Sequence, residues 1–374
     1  MMYITKTAKQ SVSLLCLSVF LFFGVHINIS FAATTTVEVL KTIPTYENIH
    51  AVYLTTGHVG SDKKVNELLN IIKTTGANGV VIDFKDSNIP KVERMKYLTA
   101  LFKKEGAYTI ARIVSFQDTY LARNHPDSAI KNSAGEFWYS GRKEWQRYWM
   151  DPASLFSQFY VIEIAKQAAD AGFDEVQLDY VRFPTDGDMN DMVYPFYDPT
   201  KTTKTKVMNE FFARFKEKLF EHNPHVRTSI DIFGNVMTYG NVSGIGQDFS
   251  SLGDYFDVIS PMPYPSHYGC GAFGFQDPTA YPYNVYYATQ KKGLGFLKDK
   301  KAVIRPWIQD FSITSIYKCG PLVLYTEKRV SDEIRGGTDL GINGFMLWNA
   351  SSNFTKGVFG QKNTLSTTTT FFAQ

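Results

Sequence analysis

Between residues 46 and 356, short β-branched apolar runs alternate with amphipathic stretches of helical period. Such alternation predicts βα units around a parallel sheet. Eight strands are expected, at His50–Thr55, Gly79–Phe84, Tyr108–Val114, Glu175–Tyr180, Arg227–Ile232, Asp257–Pro261, Ala302–Ile308 and Asn343–Trp348. The first helix carries Val65, Leu68, Leu69 and Ile72 at i, i+3, i+4, i+7 behind a Ser61 cap. A second is expected over Val92–Lys104. Asp151-Pro152 is expected to cap a third that ends near Gly172, and Val207, Phe211, Phe215 and Leu219 mark another. The helix with Val330 and Ile334 is expected to stop at Gly336-Gly337. Eight strands suit a closed barrel, a fold of roughly 250 residues or more. The first strand leads into Thr55-Thr56-Gly57-His58-Val59-Gly60, too poor in glycine for the phosphate loop of an open doubly wound sheet. The expected fold is therefore α/β, a single-domain (β/α)8 TIM barrel.

The flanks read differently. Lys6 and Lys9 precede the apolar run Val12 to Val25, and Ser30-Phe31-Ala32 has small-x-small form, so residues 1–32 are expected to be a secretory signal peptide. The run is shorter than the roughly 20 apolar residues of a spanning helix. Residues 33–45 are expected to be a polar linker and residues 357–374 a polar tail. Of a formal net charge of +3, the leader's two lysines leave +1 for the rest, which offers no general attraction to nucleic acid or to an anionic membrane. Beyond the leader stand two cysteines, Cys270 and Cys319, in loops after neighbouring strands. In an oxidising compartment they allow one disulfide; two free thiols are the alternative.

The chemistry is expected at the C-terminal ends of the strands. Acidic residues recur there: Asp83, Asp118, Asp179, Asp231 and Asp310. Any one alone is as well explained as a loop cap or a partner for arginine. Several together are costly to bury unless each has a partner or a shifted pKa. Glycoside hydrolysis needs a carboxyl pair of this kind, one proton donor and one nucleophile or base. Asp179 and Asp231 lie on adjacent strands, about 4.8 Å apart. Arg182 is a candidate to hold one of them ionised, with a salt bridge under the loop as its structural alternative.

Sugar rings stack on aromatic faces, and the loops are rich in them. Phe137, Trp138, Tyr139, Trp145, Tyr148 and Trp149 follow strand three; Tyr264, His267, Tyr268 and Phe273 follow strand six. Trp307 and Trp348 end strands seven and eight, and half or more of all these are expected to pack loop against barrel. If Met346 faces the barrel interior, Trp348 does too, at the mouth; the alternative packs it outward on the last helix. Metal chemistry is not expected: His222-Asn223-Pro224-His225 has ligand-like spacing but lies on the wrong face, and no G-x-S-x-G is present. No cofactor is implied.

Several strings resemble one family. Phe173-Asp174-Glu175-Val176-Gln177-Leu178-Asp179-Tyr180-Val181-Arg182-Phe183-Pro184 resembles the hallmark of a family of glycoside hydrolases of domain-of-unknown-function origin. Val81-Ile82-Asp83-Phe84-Lys85-Asp86, Ile110-Ala111-Arg112-Ile113-Val114, Trp149-Met150-Asp151-Pro152 and Asp231-Ile232-Phe233-Gly234 are similar to the same family. So are Ile245-Gly246-Gln247, Ser260-Pro261-Met262-Pro263-Tyr264-Pro265-Ser266-His267-Tyr268, Arg305-Pro306-Trp307-Ile308-Gln309-Asp310-Phe311 and Leu347-Trp348-Asn349-Ala350. The resemblance implies a TIM barrel related to the α-amylase-like hydrolases. It implies Asp179 as nucleophile, and it sets Asp231 where those relatives usually carry a longer glutamic acid. The resulting expectation is a secreted glycosidase acting on a polysaccharide or oligosaccharide, with Asp179 and Asp231 catalytic. Asp83, Arg112, Arg182, Tyr264, His267, Trp307, Asp310 and Trp348 are expected to support them or bind substrate. Rival expectations are a carbohydrate-binding barrel without turnover, or a hydrolase of another bond in a cell-wall polymer.

Overall fold

The computed structural model describes residues 44–361 except 87, 89–90 and 142–145. The leader, its cleavage site, nearly all of the linker, Trp145 and the chain beyond 361 lie outside the described residues. Parallel strands β1 (His50–Leu54), β2 (Gly79–Lys85), β3 (Tyr108–Val114), β4 (Glu175–Asp179), β5 (Arg227–Phe233) and β6 (Val258–Met262) pair in sequence order. The seventh strand, β7, comes in two pieces around Arg305-Pro306, where proline has no N–H for a ladder. Val303–Ile304 pairs with β6, whereas Trp307–Gln309 pairs with β8 (Phe345–Trp348), and β8 returns to β1. The broken strand thus closes the ring, and the fold is a (β/α)8 TIM barrel.

Helices α1 (Asp62–Thr74), α2 (Val92–Lys104), α4 (Leu155–Asp170), α5 (Lys204–His222), α8 (Pro282–Phe296) and α9 (Glu327–Thr338) pack around the barrel, with shorter α3 (Thr119–Asn124), α6 (Gly234–Tyr239) and α7 (Phe249–Tyr255) in the loops. Ser61 caps α1 as expected. Asp151 does not cap α4; Ser154 does, and Asp151 instead accepts backbone N–H groups from Ala153, Phe196 and Tyr197, tying two loops together. Nor do Gly336 and Gly337 end α9. A Cβ on Gly336 would stand 2.8 Å from the Tyr283 carbonyl, so the glycine serves the close approach of α9 to α8. Residues 357–361 are not tail: Phe359 is buried, stacked on Phe345, and Gln361 bridges Thr75. Among the described residues no helix is long and apolar enough to cross a membrane.

Two apolar layers result. Outward side chains of the strands meet the helices, and inward ones form a second cluster from Ala51, Tyr53, Val81, Tyr108, Ile110, Trp307 and Met346. The inner layer is not wholly apolar. Near the N-terminal ends of the strands, Arg305 pairs with Glu175, both sealed from solvent, and Tyr108 donates to the same carboxylate at 3.2 Å. One level up, Gln177 donates to Ser260 at 3.2 Å. Period-two alternation then puts Asp179 at the open end of the same strand.

Candidate active site

Four inward positions converge at the C-terminal rim: Asp83 on β2, Arg112 on β3, Asp179 on β4 and Asp231 on β5. Arg112 is the hub. Its Nη1 donates to Asp83 Oδ1 at 2.7 Å, while its Nε and Nη2 donate to Asp179 Oδ2 at 3.1 and 2.5 Å. The same Nε stands 3.8 Å from Asp231 Oδ2. One guanidinium therefore faces three carboxyls, using the fixed fork that suits it to paired acceptors.

The three carboxyls are not equivalent. Asp83 is saturated, since its Oδ2 also accepts from Tyr53 Oη (2.8 Å) and from Thr56 N (2.9 Å) and Oγ1 (3.0 Å). It anchors Arg112, with both of its oxygens engaged. Asp179 keeps a side chain 10% exposed, and its Oδ1 accepts from the Tyr180 N–H at 2.6 Å. That contact goes with an unusual backbone: Tyr180 has φ +49°, a conformation costly for a bulky residue and often found at working sites. Asp231 is sealed, with a side chain 0% exposed. Trp307 Nε1 donates to its Oδ1 at 2.7 Å, and its Oδ2 has no hydrogen-bond partner. Burial first, and then the Asp179 charge, push the Asp231 carboxyl well above the usual carboxylate range; Arg112 and the indole offset this only in part.

Around this centre stands an aromatic wall. Trp348 is half-buried, its ring 4.9 Å from Phe311 and 6.1 Å from Tyr264, on the same side of β8 as Met346 and packed against the inner cluster. Tyr264 is buried with its hydroxyl unpartnered, and burial raises its pKa well above the usual phenol value. His267 sits beside it, its Nδ1 2.9 Å from Ser266 Oγ. Cys270 and Cys319 are joined as a disulfide, Cα atoms 5.2 Å apart, which pins the loops after β6 and β7 to each other.

Other expected residues take different parts. Asp118 forms a buried ion pair with Lys85 at 2.7 Å and caps α3. A register shift between Asp83 and Lys85 turns the lysine outward onto the Tyr160 ring, so Asp118 follows it away from the mouth. Asp310 spends both oxygens on Thr355, accepting from its N–H and Oγ1 at 2.8 and 2.7 Å. Arg182 does not hold Asp179; it donates to Phe183 O and Thr185 Oγ1. Trp307 is buried beneath the site and orients Asp231 without being offered to a ligand. Trp138 and Trp149 are likewise buried, bonded to Asp188 O and Ser140 Oγ. His222 meets Asp170 at 2.7 Å on the outer end of α5. Two residues of the cluster, Tyr53 and Thr56, were not expected from the sequence. For Tyr53 the signal was there, a polar ring two positions beyond inward Ala51.

The fold and the rim cluster define a barrel protein with three carboxyls gathered around one arginine at its mouth. Residues 51–354 match the family described as "Putative glycosyl hydrolase domain", and the chain belongs to that family of glycosyl hydrolases. A hypothetical protein from Ruminiclostridium thermocellum ATCC 27405 is 31% identical over 48% of this chain and 96% of its own, with a TM-score of 0.41. The Bacillus cereus spore cortex-lytic enzyme SleL is 11% identical, covering 83% of this chain and 73% of its own at TM-score 0.52. A β-galactosidase from Halorubrum lacusprofundi is also 11% identical, over 83% of this chain and 56% of its own at TM-score 0.54. At that identity the last two share a fold with this chain and no more. No curated protein matches the chain.

Proposed function

We propose that the protein is an exported glycoside hydrolase that cleaves O-glycosidic bonds of a polysaccharide by carboxyl chemistry, with Asp179 as nucleophile or base and Asp231 as acid. The observation that carries this is the unequal treatment of two carboxyls beside one guanidinium. Asp179 is bonded by cationic N–H groups and is open to the mouth, as an ionised group must be to attack or to activate water. Asp231 is held where its charged form is disfavoured, as an acid that must keep its proton requires. The leader, cut near Ala32, and the Cys270–Cys319 disulfide support export to an oxidising compartment.

The acid assignment has a consequence in pH. Because the folded-state pKa of Asp231 is raised, its contribution to stability is present in acid and is lost as pH rises from about 4 through the raised value. Turnover is expected to fall on the same limb as the proton leaves. In Asp179→Asn the neighbouring charge is gone, so Asp231 should titrate lower than in the wild type. Carboxyl-selective carbon NMR checks both. An Asp231 resonance titrating near pH 4 in the wild type defeats the assignment.

Trp348 supplies the expected floor for a sugar ring. Since its ring is half-buried, Trp348→Ala should weaken glycan binding and turnover while losing less than the roughly 3–5 kcal/mol of a buried Trp truncation. Thermal melts together with glycan titrations measure the two effects. A much earlier melt with unchanged binding points to packing alone.

One observation favours a second reading, a carbohydrate-binding barrel without turnover: the Asp231 side chain is fully covered. New reducing ends released from a polysaccharide panel establish hydrolysis. Glycan binding with no product from any member establishes the binding module.

A further inference from the structure

Arg182 is a buried cation with very little counter-charge. Its side chain is 5% exposed, and its nearest carboxylate, Asp186, stands 4.0 Å from Nη2 on the loop after β4 and is itself largely in water. Asp179, three residues back, is engaged by Arg112. Nη1 is taken up by Phe183 O and Thr185 Oγ1, whereas Nε and Nη2 bond no acceptor among the described residues and are not sealed from solvent. The guanidinium lies against aromatic rings, its carbon 4.3 Å from the Phe233 centroid, 5.1 Å from Trp149 and 5.7 Å from Tyr180. Burial pulls its pKa down, with Asp186 only the largest of the opposing influences. A buried charge left this poorly compensated is costly, and a loop clamp has no need of it. A ligand anion would supply what is missing.

The surroundings say where that anion would come from. Phe233 ends β5, two residues beyond Asp231, so both belong to the inward-pointing set at the mouth. Its ring is 36% exposed, with the Arg182 cation against it. An aromatic surface beside a cation, next to the candidate acid, suits a sugar ring with a negatively charged substituent. Asp186 occupies the outer approach to Nη2, where it competes with such a group.

We propose that Arg182 binds a carboxylate on the sugar lying over Phe233, so that the substrate is an acidic, uronic-acid-containing glycan. This rests on the glycosidase reading only in taking the mouth as the place where substrate binds.

The test is calorimetric binding by the full-length mature protein at low salt. The probes are uronic-acid trimers of several backbones, each paired with its carboxyl-reduced neutral counterpart and with a sulfated analogue of that counterpart. At least one acidic trimer should bind about tenfold tighter than its neutral partner. Asp186→Asn, a change at an exposed loop residue, should strengthen that binding by about threefold by removing the competitor. Arg182→Gln should erase the preference, acidic and neutral trimers then binding alike; if that variant fails to fold, Asp186→Asn and the salt dependence of the wild type carry the test. The proposal is overturned if no pair shows the preference, if Asp186→Asn weakens acidic binding, or if the sulfated trimers bind more tightly than the uronic ones. Failure of the hydrolase reading looks different: acidic trimers bind with the stated preference, yet no reducing ends appear from any glycan.

Discussion

Asp179→Asn is expected to lower turnover on any hydrolysed glycan by about three orders of magnitude or more, the scale on which loss of a reacting group is felt. The fold should survive. The amide keeps an acceptor for the Tyr180 N–H, and Arg112 retains its 2.7 Å contact with Asp83. The melting temperature should therefore change far less than turnover, because Arg112 loses one of its two close pairs and keeps Asp83 as a charged partner. Initial rates of reducing-end release, measured beside a thermal melt, decide the matter. Near wild-type turnover in the Asp179→Asn variant would remove Asp179 from the chemistry, whatever its geometry.

The second large effect is expected in stability. Arg112→Met fills a similar volume but leaves Asp83, Asp179 and Asp231 around a site with no cation. Breaking a buried ion pair by removing one partner costs about 3–5 kcal/mol, mainly through the charge left behind. Here two pairs break at once, at 2.7 and 2.5 Å, in a nearly buried setting. The sign of the pH dependence identifies the cause. Acid neutralises unpaired carboxyls, so the gap between variant and wild type should narrow at about pH 4.5 and widen at about pH 8. Urea denaturation at the two pH values measures it. An equal gap at both would show that Arg112 acts through packing alone.

Much of the fold was legible along the chain because β-branched runs and helical stripes report local geometry directly. Tyr108–Val114 and Val92–Lys104 come out with the expected bounds, and the order of strands follows from the preference for sequential parallel pairing. The errors came where residue type is ambiguous between two jobs. Glycine marks a helix end or a close helix contact, and Gly336 serves the second. Asp151 and Ser154 are both capping residues, and only the loop after β4, which brings the Phe196 and Tyr197 N–H groups to Asp151, settles which one caps.

The candidate site divides in the same way. Period two and the order of the strands were enough to put Asp83, Asp179 and Asp231 at one rim, because those are properties of a strand and its neighbours. Which cation they share was not. Arg182, close to Asp179 in sequence, turns away onto Phe233 and Trp149, whereas Arg112 arrives from the neighbouring strand, 67 positions away, at 2.5 Å. Asp118 and Asp310 sit at strand ends as the other acids do, yet a register shift beside Lys85 and a cap on Thr355 take them out of the mouth. Sequence by itself determined the barrel and the set of carboxyls from which its rim draws. Tertiary structure decided which are paired, sealed or spent, because solvation and counter-charge come from side chains distant in the chain.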